Sequence, residues 1–433
     1  MSNRHSFAPL PAPAPATSHS RIPGWVLLDS TIYVDDLLNR TTAGTLTKAG
    51  LTIQLSLVAA DPPRLSYFCA YCLDVDEIPF QGEPEVVCSV GGLALIRVDF
   101  TAGDSPQYFV YRARGPDGGP SLDLLPDIRL YSRAQILLQA LGLVSHGNGG
   151  EHFVVVALSF GPEDDQYILH TLSSEPPRSA WSTKLLQVEI PHGHPKDAAV
   201  ICPTKVISLG GGLLGWVDLW KGVLKCDVLS PVAVAAAAFI PMPKLLPSNK
   251  ELYGHQSLAR GIRDVAFSGG CIRELNRGGW RKGTKVHSDG LGAIVSLPQL
   301  GRGSSCALKE RFMDLITASP TLLGDDIVYL VSMTGKLDQT AWIVPVDTKR
   351  RHVGEVMPFP VEDNLIHDPT FIPCELTKYL GAKSDGAQVD MRNACHAAPR
   401  NFNMPEKKRQ RLSQTESEEQ EPASQPLQPS SAN

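Results

Sequence analysis

The chain has no long hydrophobic run. Its longest apolar stretches, Phe153–Phe160 and Val232–Ile240, fall far short of the roughly 20 residues a helix needs to cross a bilayer, so no helical span and no membrane partner is expected. An excess of one charge is missing too: 40 Lys and Arg stand against 45 Asp and Glu, a net of −5 over 433 residues. That balance creates no basic field to gather polyanions, and direct nucleic-acid binding is not expected. Residues 1–23 lack both acidic side chains and the continuous apolar core of a secretory signal, while prolines at 9, 11, 13 and 15 oppose an amphipathic transit helix. Residues 1–24 therefore read as a disordered Pro/Ala-rich N-terminus. Nine cysteines, an odd number scattered through apolar stretches, suit the reducing cytosol or nucleus better than a disulfide framework. The chain has no Gly-x-Ser-x-Gly elbow, no phosphate loop ending in Gly-Lys-Ser/Thr and no His-Glu-x-x-His. No catalytic, cofactor-binding or metal-ligating residue is assigned, and no cofactor is expected.

What is abundant is punctuation. With 37 Gly and 35 Pro, the chain favours turns over long helices. Between these breaks, strand-like runs recur at Trp25–Leu28, Thr52–Leu57, Leu93–Phe100, Tyr108–Arg112, Phe153–Phe160, Tyr167–Leu172, Leu185–Ile190, Lys205–Leu209, Ile327–Val331 and Trp342–Val346. Leu213–Leu219, the turn Trp220-Lys221-Gly222 and Val223–Leu229 read as one hairpin. Two segments are helical candidates, Asp35–Leu38, which is short, and Ala134–Leu143, which has helical apolar spacing. Hairpin units begin near Gly91, His152, Leu213, Ile262 and Asp325, a loose repeat that predicts an all-β, β-propeller-like fold of about six irregular blades. The alternative, a pair of β-sandwiches, needs a linker, and none stands out within Trp25–Leu380. From Gly381 the aromatics almost vanish, and Ser, Gln, Glu and Pro dominate after Met404, so 381–433 reads as a disordered tail.

Several local patterns have a chemical and a structural reading. Gly210-Gly211-Gly212-Leu213-Leu214-Gly215 satisfies the letters of a dinucleotide fingerprint, but a strand-like segment follows where a pyrophosphate site needs a helix N-terminus; a glycine-rich turn is expected. Cys69-Ala70-Tyr71-Cys72 has the spacing of half a zinc site or a redox dithiol, against two thiols packed at a strand end. His192-Gly193-His194 offers two imidazoles on one loop, too few ligands for a strong metal site. Paired acids at Asp35-Asp36, Glu163–Asp165 and Asp325-Asp326 read as turn and edge residues, because neighbours on a strand point to opposite faces. In the tail, Lys407, Lys408, Arg409 and Arg411 form a nuclear-import candidate, the partner then being an import receptor; the competing reading is a solvated charge run balancing the acids at 416–421. Ser413, Thr415 and Ser417 lie between the two blocks and are phosphorylation candidates.

Three stretches near the N-terminal end carry a resemblance: Trp25–Asp29, then Pro62-Pro63 leading into Ser66–Cys72, then Tyr108–Ala113 with Ser121–Pro126. Together with Lys205–Ile207, Gly215–Leu224, Cys226–Leu229, Ile262–Asp264, Asp325–Leu330 and Thr377–Leu380, they resemble the plant domain of unknown function 1618 family, which is grass-expanded. One departure stands out: after Glu274 the family usually has a longer, tryptophan-rich connection, whereas Asn276–Gln299 is basic and Gly-rich with only Trp280. The resemblance implies no activity. The functional expectation is a non-enzymatic protein-interaction module, nuclear and/or cytoplasmic, whose specificity sits on Arg112–Pro120, Gly161–Gln166 and Pro191–Asp197. The alternative is a hydrolase or carbohydrate-binding propeller with a site in the central channel.

Overall fold

A computed structural model describes residues 23–242 save gaps at 74, 76, 104, 128–135, 148–151, 162–165, 176–179, 196–198 and 233, then 263–268, 271–276, 315–320, 327–333, 340–360 without 348, and 371–380. All of these belong to one compact unit, Met1–Gly381. Among them there is no α-helix; a 3-10 turn lies at Leu376–Tyr379. No described helix is long and apolar enough to cross a membrane.

The strands fall into six groups in chain order. The first blade contains β1 (Val26–Val34), β2 (Ala43–Leu46), β3 (Thr52–Val58) and β4 (Leu65–Cys72). The second contains β5 (Glu85–Val90), β6 (Leu93–Val98), β7 (Gln107–Arg112) and β8 (Ser121–Leu124), and the third β9 (Ile136–His146), β10 (His152–Phe160), β11 (Tyr167–Ser173) and β12 (Ser182–Glu189). The fourth has β13 (Lys205–Gly210), β14 (Leu213–Asp218), β15 (Gly222–Asp227) and β16 (Val234–Pro241). In the fifth, β17 (Arg263–Ser268) and β18 (Cys271–Asn276) are described. The sixth holds β19 (Leu315–Pro320), β20 (Ile327–Met333), β21 (Thr340–Asp347), β22 (His352–Val353) and β23 (Met357–Pro360). A last strand, β24 (Phe371–Cys374), returns to the first blade and pairs antiparallel with β1, Val26 opposite Cys374 and Asp29 opposite Phe371.

Burial on both faces stacks the first four blades on their neighbours. In β10, Val154, Val156 and Leu158 pack toward the fourth blade while Phe153, Val155 and Ala157 pack toward the second. This double-sided burial explains why the segment reads as a continuous apolar run and not as an alternation. One cluster joins the first and second blades through Phe68, Ile96, Phe109 and Tyr111. Another joins the fourth to the fifth through Val217, Leu219, Val223 and Val265, and a third joins the sixth to the first through Tyr329, Ile343, Leu27 and Phe371. The innermost strands follow one another in the order β24, β5, β9, β13, β17, β19 and back to β24. That is a closed ring, and closure removes free sheet edges. The third and fourth blades are also sewn at the periphery, where β12 pairs parallel with β16; with β9 packed on β13 at the centre, they make one nearly closed eight-stranded barrel. Similarly, β1 bridges to β5 and β2 packs on β8, nearly closing the first two blades together with β24.

The fourth blade shows how its sequence is spent. Trp216 is completely buried and its indole Nε1 donates to the Ala140 carbonyl at 2.9 Å, tying this blade to the innermost strand of the third. Asp218 accepts from the backbone N–H groups of Cys202 at 2.9 Å, Trp220 at 2.9 Å and Lys221 at 3.0 Å, which fixes the turn into β15. Gly222 has no room for a side chain, since a Cβ there would lie 2.5 Å from the Ile240 carbonyl oxygen and 2.6 Å from the Phe239 ring.

Two expectations need correction. Asp35–Leu38 is an irregular loop, and Ala134–Leu143 is not a helix: most of it lies in β9. Its leucines are spaced as on a helix, but Ala140 and Val144 pack toward one neighbouring blade and Leu141 and Leu143 toward the other, the two-sided pattern of a strand. The unit boundaries also shift, because the second, third, fourth and sixth blades each begin one strand earlier than expected, at β5, β9, β13 and β19. The 277–299 connection, residues 1–22 and the tail 381–433 lie outside the described residues.

Candidate functional site

The rim where the third and fourth blades join has two features side by side. The first is a cleft of about 380 Å³ lined by His146, Thr171, Ser173, Glu175 and Ser182 on its polar side and by Val154, Val228 and Leu229 on its apolar side. His146 ends β9 and His152 starts β10, so the hairpin brings their rings to 5.7 Å between centroids. The Glu175 carboxylate oxygen Oε1 lies 3.9 Å from Nδ1 of His146 and 3.9 Å from Nε2 of His152. Nε2 of His146 is buried without a protein partner, while Thr171 and Ser182 bind one another at 2.6 Å. Such a wall can accept or donate hydrogen bonds to an incoming polar group. Among the described residues no three His, Cys, Asp or Glu side chains are grouped to hold a metal.

The second feature is an apolar strip beside the cleft. On β16 the burial alternates, with Ala235, Ala237 and Phe239 inside the barrel and Val234, Ala236 and Ile240 outward. Leu185 of β12 pairs with Val234 in the ladder and also faces out. Leu185, Leu229, Val232, Val234 and Ile240 are 36–52% exposed, and they make up five of the ten exposed large hydrophobic residues among those described. A sector that gathers half of them is an unusual surface for a free chain.

Elsewhere, polar groups are committed to structure. Ser159 Oγ and His170 Nε2 lie 2.8 Å apart, the spacing of a nucleophile and its base, but both residues are completely buried and burial holds the imidazole below its usual pKa. No substrate reaches that pair. Near the ring centre Lys205 of β13 pairs with Asp264 of β17, and Ser89 of β5 contacts Cys374 of β24 at 3.1 Å, both clasping adjacent innermost strands.

The sequence candidates separate cleanly. Gly211 and Gly212 have φ of 60° and 87° and turn β13 into β14, a two-residue hairpin that needs positive φ at both positions, with no helix following. Cys69 and Cys72 point to opposite faces of β4, one against Tyr33 and Tyr67 and the other in the core between the first two blades, so they cannot share a metal. Burial, with Asp35 nearby, pushes the Cys69 thiol up to about 12. His192 and His194 sit on an exposed loop turned at Gly193, and Asp35 and Asp36 on the loop after β1. Of the loops expected to carry specificity, Arg112 is instead buried, bound to Asp123 at 3.0 Å and stacked 4.7 Å over the Phe153 ring. Glu163–Asp165, Asp325-Asp326, the import candidate Lys407, Lys408, Arg409, Arg411 and the phosphorylation candidates Ser413, Thr415, Ser417 lie outside the described residues. Sequence reading missed His146, His152 and Glu175, whose only signal was a pair of histidines flanking a Gly-rich hairpin turn.

No curated protein matches the chain. A solved structure from a structural and mechanistic study of two prolyl endopeptidases is similar at 12% identity with a TM-score of 0.26, covering 78% of this chain; the chain spans about half, 50%, of that protein's length. Residues 216–304, beginning at the buried Trp216 and running through the turn fixed by Asp218, match the family model described as Protein of unknown function (DUF1618).

Proposed function

We propose that this chain is a non-enzymatic protein-interaction module, a β-propeller-like ring whose rim at the third and fourth blades receives a protein partner. The observation that carries the reading is the concentration of exposed apolar side chains at Leu185, Leu229, Val232, Val234 and Ile240, next to a cleft with a hydrogen-bonding wall. A ring clamped by two-sided blade cores holds such a surface rigid, so little ordering entropy is lost on binding. The module acts in the nucleus, the cytoplasm or both. Lys407, Lys408, Arg409 and Arg411 recruit an import receptor, and phosphates on Ser413, Thr415 or Ser417 weaken that recruitment by placing about −1.5 to −2 charge each beside the cations. One experiment tests both parts: tagged wild type, Val234→Lys/Ile240→Lys and Lys407/Lys408/Arg409/Arg411→Ala are expressed in native tissue, captured and localised. The rim variant is expected to lose the captured proteins while staying folded, and the tail variant to keep them while leaving the nucleus. An unchanged set of captured proteins in the rim variant overturns the docking reading, and an unchanged nuclear fraction in the tail variant overturns the import reading.

A further inference from the structure

Resting on that reading, we infer that the partner at this rim is a second copy of the same chain, related by a two-fold axis running along β16. Strand register sets the outward side chains in rows. Across the β12–β16 ladder Leu185 pairs with Val234, Gln187 with Ala236 and Glu189 with Ala238. On the other side of β16, Lys225 of β15 pairs with Ala238, and Asp227, two residues on and next to the Cys226 that pairs with Ala237, flanks Ala236. Glu189 and Lys225 thus stand on opposite sides of Ala238, and Gln187 and Asp227 on opposite sides of Ala236.

An axis along β16 exchanges the two sides. Glu189 then meets the partner subunit's Lys225, Gln187 meets the partner subunit's Asp227, and Val234, Ala236 and Ala238 meet their own equivalents; each charged contact is made twice, as an isologous interface requires. The small alanines let two sheets approach to the roughly 10 Å of face-to-face packing with near-aligned strands. An axis across the strands would instead lay Glu189 on the partner subunit's Leu185, leaving a carboxylate on an apolar side chain. The order of residues along both ladders therefore selects one orientation of self-docking.

The test is the solution mass of the full chain by sedimentation equilibrium over about 1–100 µM, for wild type, Glu189→Lys, Lys225→Glu and the double swap. A dimer is expected in the wild type. Each single reversal should weaken it by about tenfold or more, since two attractive contacts become repulsive, and the double swap should restore it. These side chains project away from the barrel core, so circular dichroism and melting should be unchanged in all four. A monomeric wild type, a mass indifferent to the single reversals, or a double swap that fails to recover overturns the inference. If that happens while Val234→Lys/Ile240→Lys still abolishes capture of other proteins, the docking reading survives and only the occupant was wrong; if that variant too changes nothing, both fall.

Discussion

Asp29 shows how much a single residue is asked to do at the clasp of the ring. It is buried where β1 bulges between Leu28 and Ile32, and it accepts from the Thr31 N–H at 3.0 Å and the Tyr33 hydroxyl at 2.8 Å. Burial is the largest influence and raises its pKa from 3.8 to about 6, the two hydrogen bonds opposing and Glu83 adding to the rise. Because the folded state holds this proton more tightly than the unfolded one, the group favours folding most below about pH 4. That contribution is lost as pH rises through the interval from 3.8 to about 6. The loss amounts to about 3 kcal/mol at 1.36 kcal/mol per unit. Denaturant midpoints measured from pH 4 to 7 for wild type and Asp29→Asn should therefore diverge, the wild type losing about 2–3 kcal/mol relative to the variant. Parallel curves would show that the carboxyl is ionised throughout.

At the scale of strands, sterics at Gly222 decide whether β15 can lie against β16. Gly222→Ala should destabilise the fold by about 1–3 kcal/mol, because the obstacles are a backbone carbonyl and a packed ring rather than a movable side chain. A melting temperature unchanged from wild type would mean that the two strands separate easily. The same scale marks what could be read beforehand. Second strands such as Leu93–Val98 and Leu213–Asp218 were legible because nearly every position is at least half buried between blades. The first strand of the second blade was not: in β5 most side chains are only partly covered near the ring centre, which mixes polar with apolar residues and hides the strand. Val232–Ile240 was recognisable as apolar, yet which of its side chains stay uncovered depends on β12 coming alongside, a pairing of two strands separated by an entire hairpin blade. The cleft was illegible for the same reason, since Glu175 reaches the two histidines only through the fold of β9, β10 and β11.

For the whole molecule, ring closure rests on β24. Phe371, Cys374 and Leu376 are buried in the cores that flank the first blade. Removing residues 371–380 deletes all three, at about 2–5 kcal/mol for each large apolar side chain, a sum comparable to the 5–15 kcal/mol total of an ordinary domain. The shortened chain should lose its single cooperative melt and bind dyes that seek apolar surface; a sharp transition at the wild-type temperature would contradict a ring held by this strand. The pairing of Val26 with Cys374 also has a temporal meaning. A growing polypeptide leaving the ribosome displays the first blade long before β24, which supplies its missing edge, has been made. Until that strand arrives the nascent protein carries an open seam, and it is then that a chaperone has something to hold.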